Sequence, residues 1–203
     1  MGMTDLRVET LPHRGRVAFA KALADLRTDY FSEYPYLQTP DHKAALQEMR
    51  SLCMDPEVLI VAAFDDGAIA GCGIVRPFRH AEVARCGSWF AQRGYDIRRW
   101  TFGLYTLTRP QYRALGVTSM IGNLLNREFR SRAIEGRVAP VIQRQASDIK
   151  APPGYRDPLG FFLKRGYEQM DIPSLTASWR DIGDDHETEK HYVFVARKVE
   201  TDA

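Results

Sequence analysis

Apolar positions along the 203-residue chain switch several times between alternation and a spacing of three to four, and each switch marks an expected element. Leu6 to Leu11 alternates as a first strand, and Val17, Ala20, Leu23 and Ala24 fall at helical spacing within Arg14 to Tyr30. Asp41 stands where it can cap a second helix that runs through Met54. Val58 to Phe64 and Ala68 to Val75 are strand-like runs joined by Asp66-Gly67, a pair that favours a tight hairpin turn. Phe78 to Asp96 has no clear period and reads as a loop with room for a short helix. Arg99 to Thr108, rich in aromatic and β-branched residues, is expected to be a central strand that ends before Pro110.

Beyond Pro110, residues Val117, Met120, Ile121, Leu124, Leu125, Phe129 and Ala133 share one helical face. Gly116 precedes that helix, where a side chain would keep a ligand from the backbone. Gly122 inside it costs roughly 1 kcal/mol relative to alanine, so a close packing contact is expected there, and Gly136 is expected to stop the helix. Pro140 lies in the strand-like run Arg137 to Gln143 and needs a side without a ladder bond. Asp157, Pro158 and Gly166 delimit a short helix by cap, first-turn proline and stop. Leu175 to Arg180 and His191 to Lys198 read as a closing hairpin with a long acidic connection, Asp181 to Lys190.

Composition narrows the function. Lys plus Arg total 28 against 26 for Asp plus Glu, and a net charge of +2 gives no reason to invoke nucleic acid or an acidic membrane. Arg127, Arg130, Arg132 and Arg137 are accordingly read as a solvated basic helix face. Cys53, Cys72 and Cys86 are odd in number and form no C-x-x-C pair, which speaks against a disulfide framework. His13, His42, His80, His186 and His191 have no paired ligand spacing, so no metal is expected. Met1 to Asp5 leads into the first strand without a signal-like apolar region, and no apolar run is long enough to cross a bilayer. The expectation is one cytoplasmic domain over residues 1–203, with no repeat or linker.

Chemistry is expected where strand meets helix. The free N–H groups and positive dipole end of a helix's first turn bind phosphate without help from charged side chains. The run Pro110, Gln111, Tyr112, Arg113, Ala114, Leu115, Gly116, Val117, Thr118, Ser119 resembles the pyrophosphate motif [RQ]-x-x-G-x-[GA] of the GNAT superfamily of N-acetyltransferases, with Thr118 departing from the small last residue. Phe161, Phe162, Arg165, Gly166 and Tyr167 resemble that family's second cofactor element. Gly154 to Leu159 and Ser178 to Gly183 resemble an uncharacterised bacterial subgroup of it.

The resemblance spans nearly the whole chain and implies an α/β (α+β) fold. It would have a mixed central sheet of six to seven strands, splayed central strands with Pro140 on the second, and about four helices. It implies acetyl-CoA as cofactor, held by Leu107, Thr108 and Arg109, by Arg113, Ala114 and the backbone amides of Leu115, Gly116, Val117, Thr118 and Ser119, and by Phe161, Phe162 and Arg165. It also implies acetyl transfer to an amine of a small molecule or peptide by direct attack in a ternary complex, with a homodimer open as the assembly. The central strand from Ile97 to Arg109 has no carboxylate, which leaves Tyr105 and water as candidates for the base. Phe161 and Phe162 stand where the family's tyrosine acid is expected, so Tyr155 either replaces it or packs on the sheet. Tyr30, Phe31, Glu33 and Tyr34, with Tyr36, either line a pocket for a cationic acceptor or form a packed aromatic corner. The alternative function is a noncatalytic acyl-CoA-binding or regulatory module of the same fold.

Overall fold

The computed structural model describes residues 6–145 and 148–199, so the reading of Met1 to Asp5 lies outside the described residues. In chain order the first half forms β1 (Arg7–Thr10), a 3-10 turn (Arg16–Phe19), α1 (Ala20–Ser32), α2 (His42–Met54), β2 (Leu59–Asp65), β3 (Ala68–Pro77) and α3 (His80–Gln92). A second 3-10 turn (Ile97–Arg99) then leads to β4 (Trp100–Thr108), α4 (Pro110–Arg113), α5 (Val117–Ser131), β5 (Gly136–Gln143), α6 (Pro158–Leu163), β6 (Glu168–Gln169), β7 (Leu175–Trp179) and β8 (Thr188–Lys198). Beyond the expected elements, the described residues add the two-residue β6, the four-residue α4 and the second 3-10 turn, and α3 is longer than the short helix allowed for. The pairing of β4 with β5 is parallel, and the other registered pairings are antiparallel.

The chain clusters into two compact units. One takes the chain up to Tyr30, Pro40–Arg76 and Gly103–Arg132; the other takes Phe31–Thr39, Pro77–Phe102 and the chain from Ala133 on. In the first unit β1 pairs with β2 from Arg7↔Phe64 to Thr10↔Val61, and β2 pairs with β3 across the Asp66-Gly67 turn. Both turn residues have positive φ, 48° and 78°, as a two-residue turn matched to strand twist requires. Helix α5 turns Val117, Ile121, Leu125 and Phe129 inward, and all four are buried. Two glycines of β3 make its seat. A methyl at Gly73 would lie 2.7 Å from Ile121 Cγ2 and 2.9 Å from Leu125 Cδ1, and one at Gly71 would lie 2.8 Å from Leu107 O. Arg16 is buried and donates to the carbonyls of Cys53 at 2.8 Å and Val58 at 2.7 Å, satisfying acceptors at the end of α2 and the start of the next segment. The expected helix from Arg14 therefore begins as a 3-10 turn, because Gly15 is left-handed at φ 92° and Arg16 turns inward.

In the second unit β4 and β5 are in register over Trp100↔Gly136, Thr101↔Arg137 and Phe102↔Val138. Pro140 lies on β5 beyond that ladder, opposite Phe194 of β8. Helix α3 fills most of the run expected to be a loop with room for a short helix: Cys86, Trp89 and Phe90 are buried at helical spacing, and Glu82 accepts from the Arg79 N–H at 2.7 Å. Its period is obscured by polar neighbours and by Gly87 at mid-helix. Gly136 does not stop α5. The helix ends at Ser131, Ala133 turns out of it at φ 52°, and Gly136 opens β5, where a methyl would meet the Trp100 ring at 2.5 Å. Gly122 has no close neighbour either, since a methyl there would meet nothing within 4 Å. Arg137 belongs to β5 and not to the basic helix face; its Nε donates to Tyr167 Oη at 2.8 Å. The closing hairpin is longer than expected, pairing from Leu175↔Tyr192 to Trp179↔Thr188, so its connection is shorter.

Gly73→Ala is expected to lower unfolding free energy by about 1–3 kcal/mol, because backbone and two core side chains would have to move apart. Gly122→Ala, in open space on a helix, is expected to raise it by roughly 0.5–1 kcal/mol. Denaturant titration of both variants checks the pair.

Candidate functional site

The turn between α4 and α5 lies wholly in the first unit. Gly116 is the N-cap of α5 at φ 75°, a left-handed conformation that costs a side chain roughly 1–2 kcal/mol, and a methyl there would meet nothing within 4 Å. Leu115 N–H donates to Tyr112 O at 3.1 Å, and the N–H groups of Ser119 and Met120 donate to Gly116 O at 2.9 and 3.0 Å. Among the described residues no protein group accepts from the amides of Gly116, Val117 and Thr118. The donor set is thus narrower than the expected run Leu115 to Ser119. Three consecutive amides at the positive end of a 15-residue helix, beside a glycine with open space, fit a phosphate-sized anion.

The side chains around this turn hold it in shape. Thr118 Oγ1 lies 2.9 Å from Thr108 Oγ1, so the departure from the small motif residue is absorbed by a hydroxyl pair at the end of β4. Arg113 Nε donates to Thr108 O at 3.0 Å, and its guanidinium lies 5.4 Å from the Tyr30 ring centre. Arg109 donates from its amide to Ala70 O at 2.9 Å and from Nε to Ile69 O at 3.0 Å, and it pairs with Asp29 at 3.1 Å. Leu107 is buried, and Ala114 continues the α4 turn by donating to Tyr112 O.

Upstream on β4, Tyr105 Oη donates to Glu48 Oε1 on α2, and Arg27 on α1 reaches both, with Nε 3.1 Å from Tyr105 Oη and 2.8 Å from Glu48 Oε2. Burial and then the Glu48 charge push the Tyr105 phenol well above its ordinary pKa, against the opposing pull of Arg27. A phenol in that state keeps its proton and acts as a donor. Glu48 escaped the sequence reading because α2 is far from the strand in the chain. The signal that would have found it is its inward phase on α2, with Ala45 and Met49 buried on either side.

The second unit gathers the remaining candidates. Tyr34 and Tyr155 meet edge to face with ring centres 4.5 Å apart, and Phe31 lies 4.3 Å from Tyr36. Tyr34 Oη donates to Asp148 at 3.3 Å; burial, and then that carboxylate, raise its pKa. Glu33 accepts through its backbone carbonyl from Tyr36 and Leu37. Arg144 anchors the segment by donating to Pro35 O at 2.6 Å and Tyr36 O at 3.3 Å, while gripping Asp181 at 2.8 and 3.1 Å. Lys190, only 2% exposed, lies 3.1 Å from the same carboxylate. Burial pushes the Asp181 carboxyl up, but the hydrogen bonds from Arg144 and Lys190 outweigh it and hold the group below its usual range. In α6, capped by Asp157 at 2.8 Å, Phe162 packs against Ala139, Val141, Tyr167 and Val195, and Phe161 carries the Arg165 guanidinium 3.6 Å from its centre. The two rings, 5.6 Å apart, thus take different partners, one packed against the core and one under a cation.

The three cysteines are free and buried, and burial pushes the Cys72 and Cys86 thiols up to about 12 and about 11, so neither is a nucleophile near neutrality. Among the described residues no His, Cys, Asp and Glu group of three or more is placed to hold a metal ion, and no helix is long and apolar enough to cross a membrane.

No family model and no curated protein matched the sequence when it was compared with them. Solved structures do match. The aminoglycoside 6'-N-acetyltransferase from Enterococcus faecium is 16% identical, with 97% of this chain and 99% of that one covered at a TM-score of 0.63. An N-acetyltransferase from Staphylococcus aureus Mu50 is 15% identical, with 97% and 100% covered at 0.59. The PaiA N-acetyltransferase from Thermoplasma acidophilum, solved in complex with coenzyme A, is 10% identical, with 96% and 99% covered at 0.59. The fold is that of the GNAT N-acetyltransferases.

Two outcomes follow from the contacts above. Thr108→Val strands the Thr118 hydroxyl and is expected to cost about 1 kcal/mol, whereas the double variant Thr108→Val/Thr118→Val recovers most of it, as denaturant melts will show. Because Asp181 is held below its ordinary pKa, its contribution is complete above about pH 4 and fades as pH falls through the lowered value. Wild-type stability measured from pH 6 to pH 2 should therefore decline more steeply than that of Asp181→Asn.

Proposed function

We propose that the protein is a GNAT N-acetyltransferase that moves an acetyl group from acetyl-CoA to an amine of a small molecule or peptide. The observation that carries the reading is the set of three unspent amides at Gly116, Val117 and Thr118, beside a glycine with open space. Coenzyme A bound to a protein of the same fold supports it. When bound, acetyl-CoA supplies an acyl group activated as a thioester. Gly116, Val117 and Thr118 hold the diphosphate through N–H groups that need no rearrangement to receive it, and Arg113 and Thr108 keep the turn shaped for that task. Within the second unit, Phe161 and Arg165, the residues that resemble the family's second cofactor element, form a stacked ring and guanidinium. In the same unit Tyr34, on a segment that Arg144 fastens to Asp181, is in edge-to-face contact with Tyr155, and the two are the aromatic surface we assign to the acceptor. Holding both reactants together supplies much of the rate. Near neutrality a thiol of pKa ~8.5 leaves tolerably as thiolate, so the absence of a tyrosine at Phe161 and Phe162 does not stop the reaction.

A noncatalytic acyl-CoA-binding module is the second reading, favoured by a β4 strand that carries no carboxylate and whose Tyr105 hydroxyl is spent on Glu48. Calorimetric titration with acetyl-CoA, followed by thiol release over a panel of amines, separates the readings. Wild type is expected to bind and to release thiol, and Gly116→Glu, which sets an anion at the cradle, to bind at least about tenfold more weakly, a difference of roughly 1.4 kcal/mol. Equal binding by both proteins sinks the cradle; tight binding with no turnover favours the module.

A further inference from the structure

We infer that Glu48 is the group that takes the acceptor's proton during acyl transfer, held in position by Tyr105 and Arg27; the inference rests on the acetyltransferase reading above. Three other carboxylates of the first unit lie on or against the β4 to α5 segment. Asp29 pairs with Arg109, Asp65 accepts from Tyr112 Oη at 2.7 Å, and Glu128 accepts from Thr10 at 2.8 Å and pairs with Arg132 at 3.0 Å. Each of these grips an end or an outer face of the segment. Glu48 alone among them is directed to the middle of β4, at Tyr105, three residues before the strand end that Arg113 and Thr118 fasten to the cradle.

The three side chains come from α1, α2 and β4, and their directions of hydrogen bonding are fixed. Tyr105 gives its proton to one Glu48 oxygen and Arg27 gives one to the other, which leaves each oxygen a further lone pair. The Glu48 side chain is 39% exposed and Tyr105 beside it is half-buried, so the carboxylate is held by two partners and reachable from solvent. Burial and the Glu48 charge keep the Tyr105 proton in place, so the tyrosine orients the carboxylate and does not compete for the acceptor's proton. A structural ion pair joining α1, α2 and β4 is the competing account, and it predicts loss of stability without a specific loss of turnover.

The step balances without any further reactant. A free alkyl ammonium, pKa ~10.4, is a far weaker acid than a carboxylic acid, so the acceptor first gives its ammonium proton to water. The amine nitrogen then attacks the acetyl carbonyl carbon. As the C–N bond forms and the C–S bond breaks, the sulfur leaves with the bonding pair and the N–H proton becomes strongly acidic. Glu48 receives that proton on a carboxylate oxygen and passes it to water, while the thiolate takes one from water.

Glu48→Gln keeps the size and an acceptor for Tyr105 but not the basicity. It is expected to lower kcat by roughly 10²–10⁴-fold, with the acetyl-CoA Kd and the melting temperature close to wild type. Tyr105→Phe is expected to lower kcat less, since it removes only an orienting bond, and Glu48→Asp to retain more turnover than Glu48→Gln. Equal turnover by Glu48→Gln and wild type overturns the inference, as does an equal loss in the Asp and Gln variants. Wild type that binds acetyl-CoA yet acetylates no amine of the panel also overturns it and leaves the cradle standing. Wild type that binds no acetyl-CoA refutes the underlying reading instead.

Discussion

Everything in the first unit that bears on function depends on how closely α5 can approach β3. Close packing forbids a side chain between them, since even one methyl at Gly73 would fall inside the van der Waals radius of Ile121 and Leu125. The absence of a side chain at Gly71 likewise lets the β3 backbone lie against Leu107 O. The helix is thereby seated by its buried face, and its first turn is delivered at the end of β4. Gly116 then makes a left-handed turn that no L side chain takes readily, and the chain enters α5 with three amides unspent. Shape and electrostatics at the cradle are consequences of the same packing constraint.

Charge is placed by a second rule: the arginines of the first unit are fastened to backbone carbonyls. Arg109 and Arg113 beside the cradle, and Arg16 at the end of α2, each donate to main-chain oxygens, which makes them fasteners of irregular backbone. Attraction for an anion therefore comes from the helix end itself, and it costs no reorganisation of long side chains when a ligand arrives. In the second unit the same logic appears with a partner acid. Arg144 clasps the carbonyls of Pro35 and Tyr36 and is neutralised by Asp181, which is only 3% exposed and also receives Lys190. Burying this cluster is tolerable because each charge has an opposite one within hydrogen-bond reach. Its product is a fixed aromatic segment from Phe31 to Tyr36.

The sequence made some of this legible and hid the rest for definable reasons. The Asp66-Gly67 hairpin, the Asp41 and Asp157 caps, the Pro158 start and the Gly116 turn are local events, written in the residues that make them. Helix α3 was hidden because its inward face is three residues wide, Cys86, Trp89 and Phe90, amid polar neighbours and a glycine. Gly122 and Gly136 were misread as packing and stop signals because a glycine's reason is tertiary: the first faces open space, and the second makes room for Trp100. The cradle was visible as a strand, turn and helix, but which amides remain unspent depends on hydrogen bonds formed only after folding. Glu48 was hidden for a related cause, since its relation to Tyr105 spans 57 residues of chain.

The account stands on the amides of Gly116, Val117 and Thr118 receiving a diphosphate. Amide-resolved NMR titration with coenzyme A, compared with acetylpantetheine, which lacks the diphosphate, addresses those three protons directly. The account predicts large downfield shifts of the three resonances with coenzyme A and none with acetylpantetheine. Saturable binding of coenzyme A that leaves all three resonances in place would contradict it.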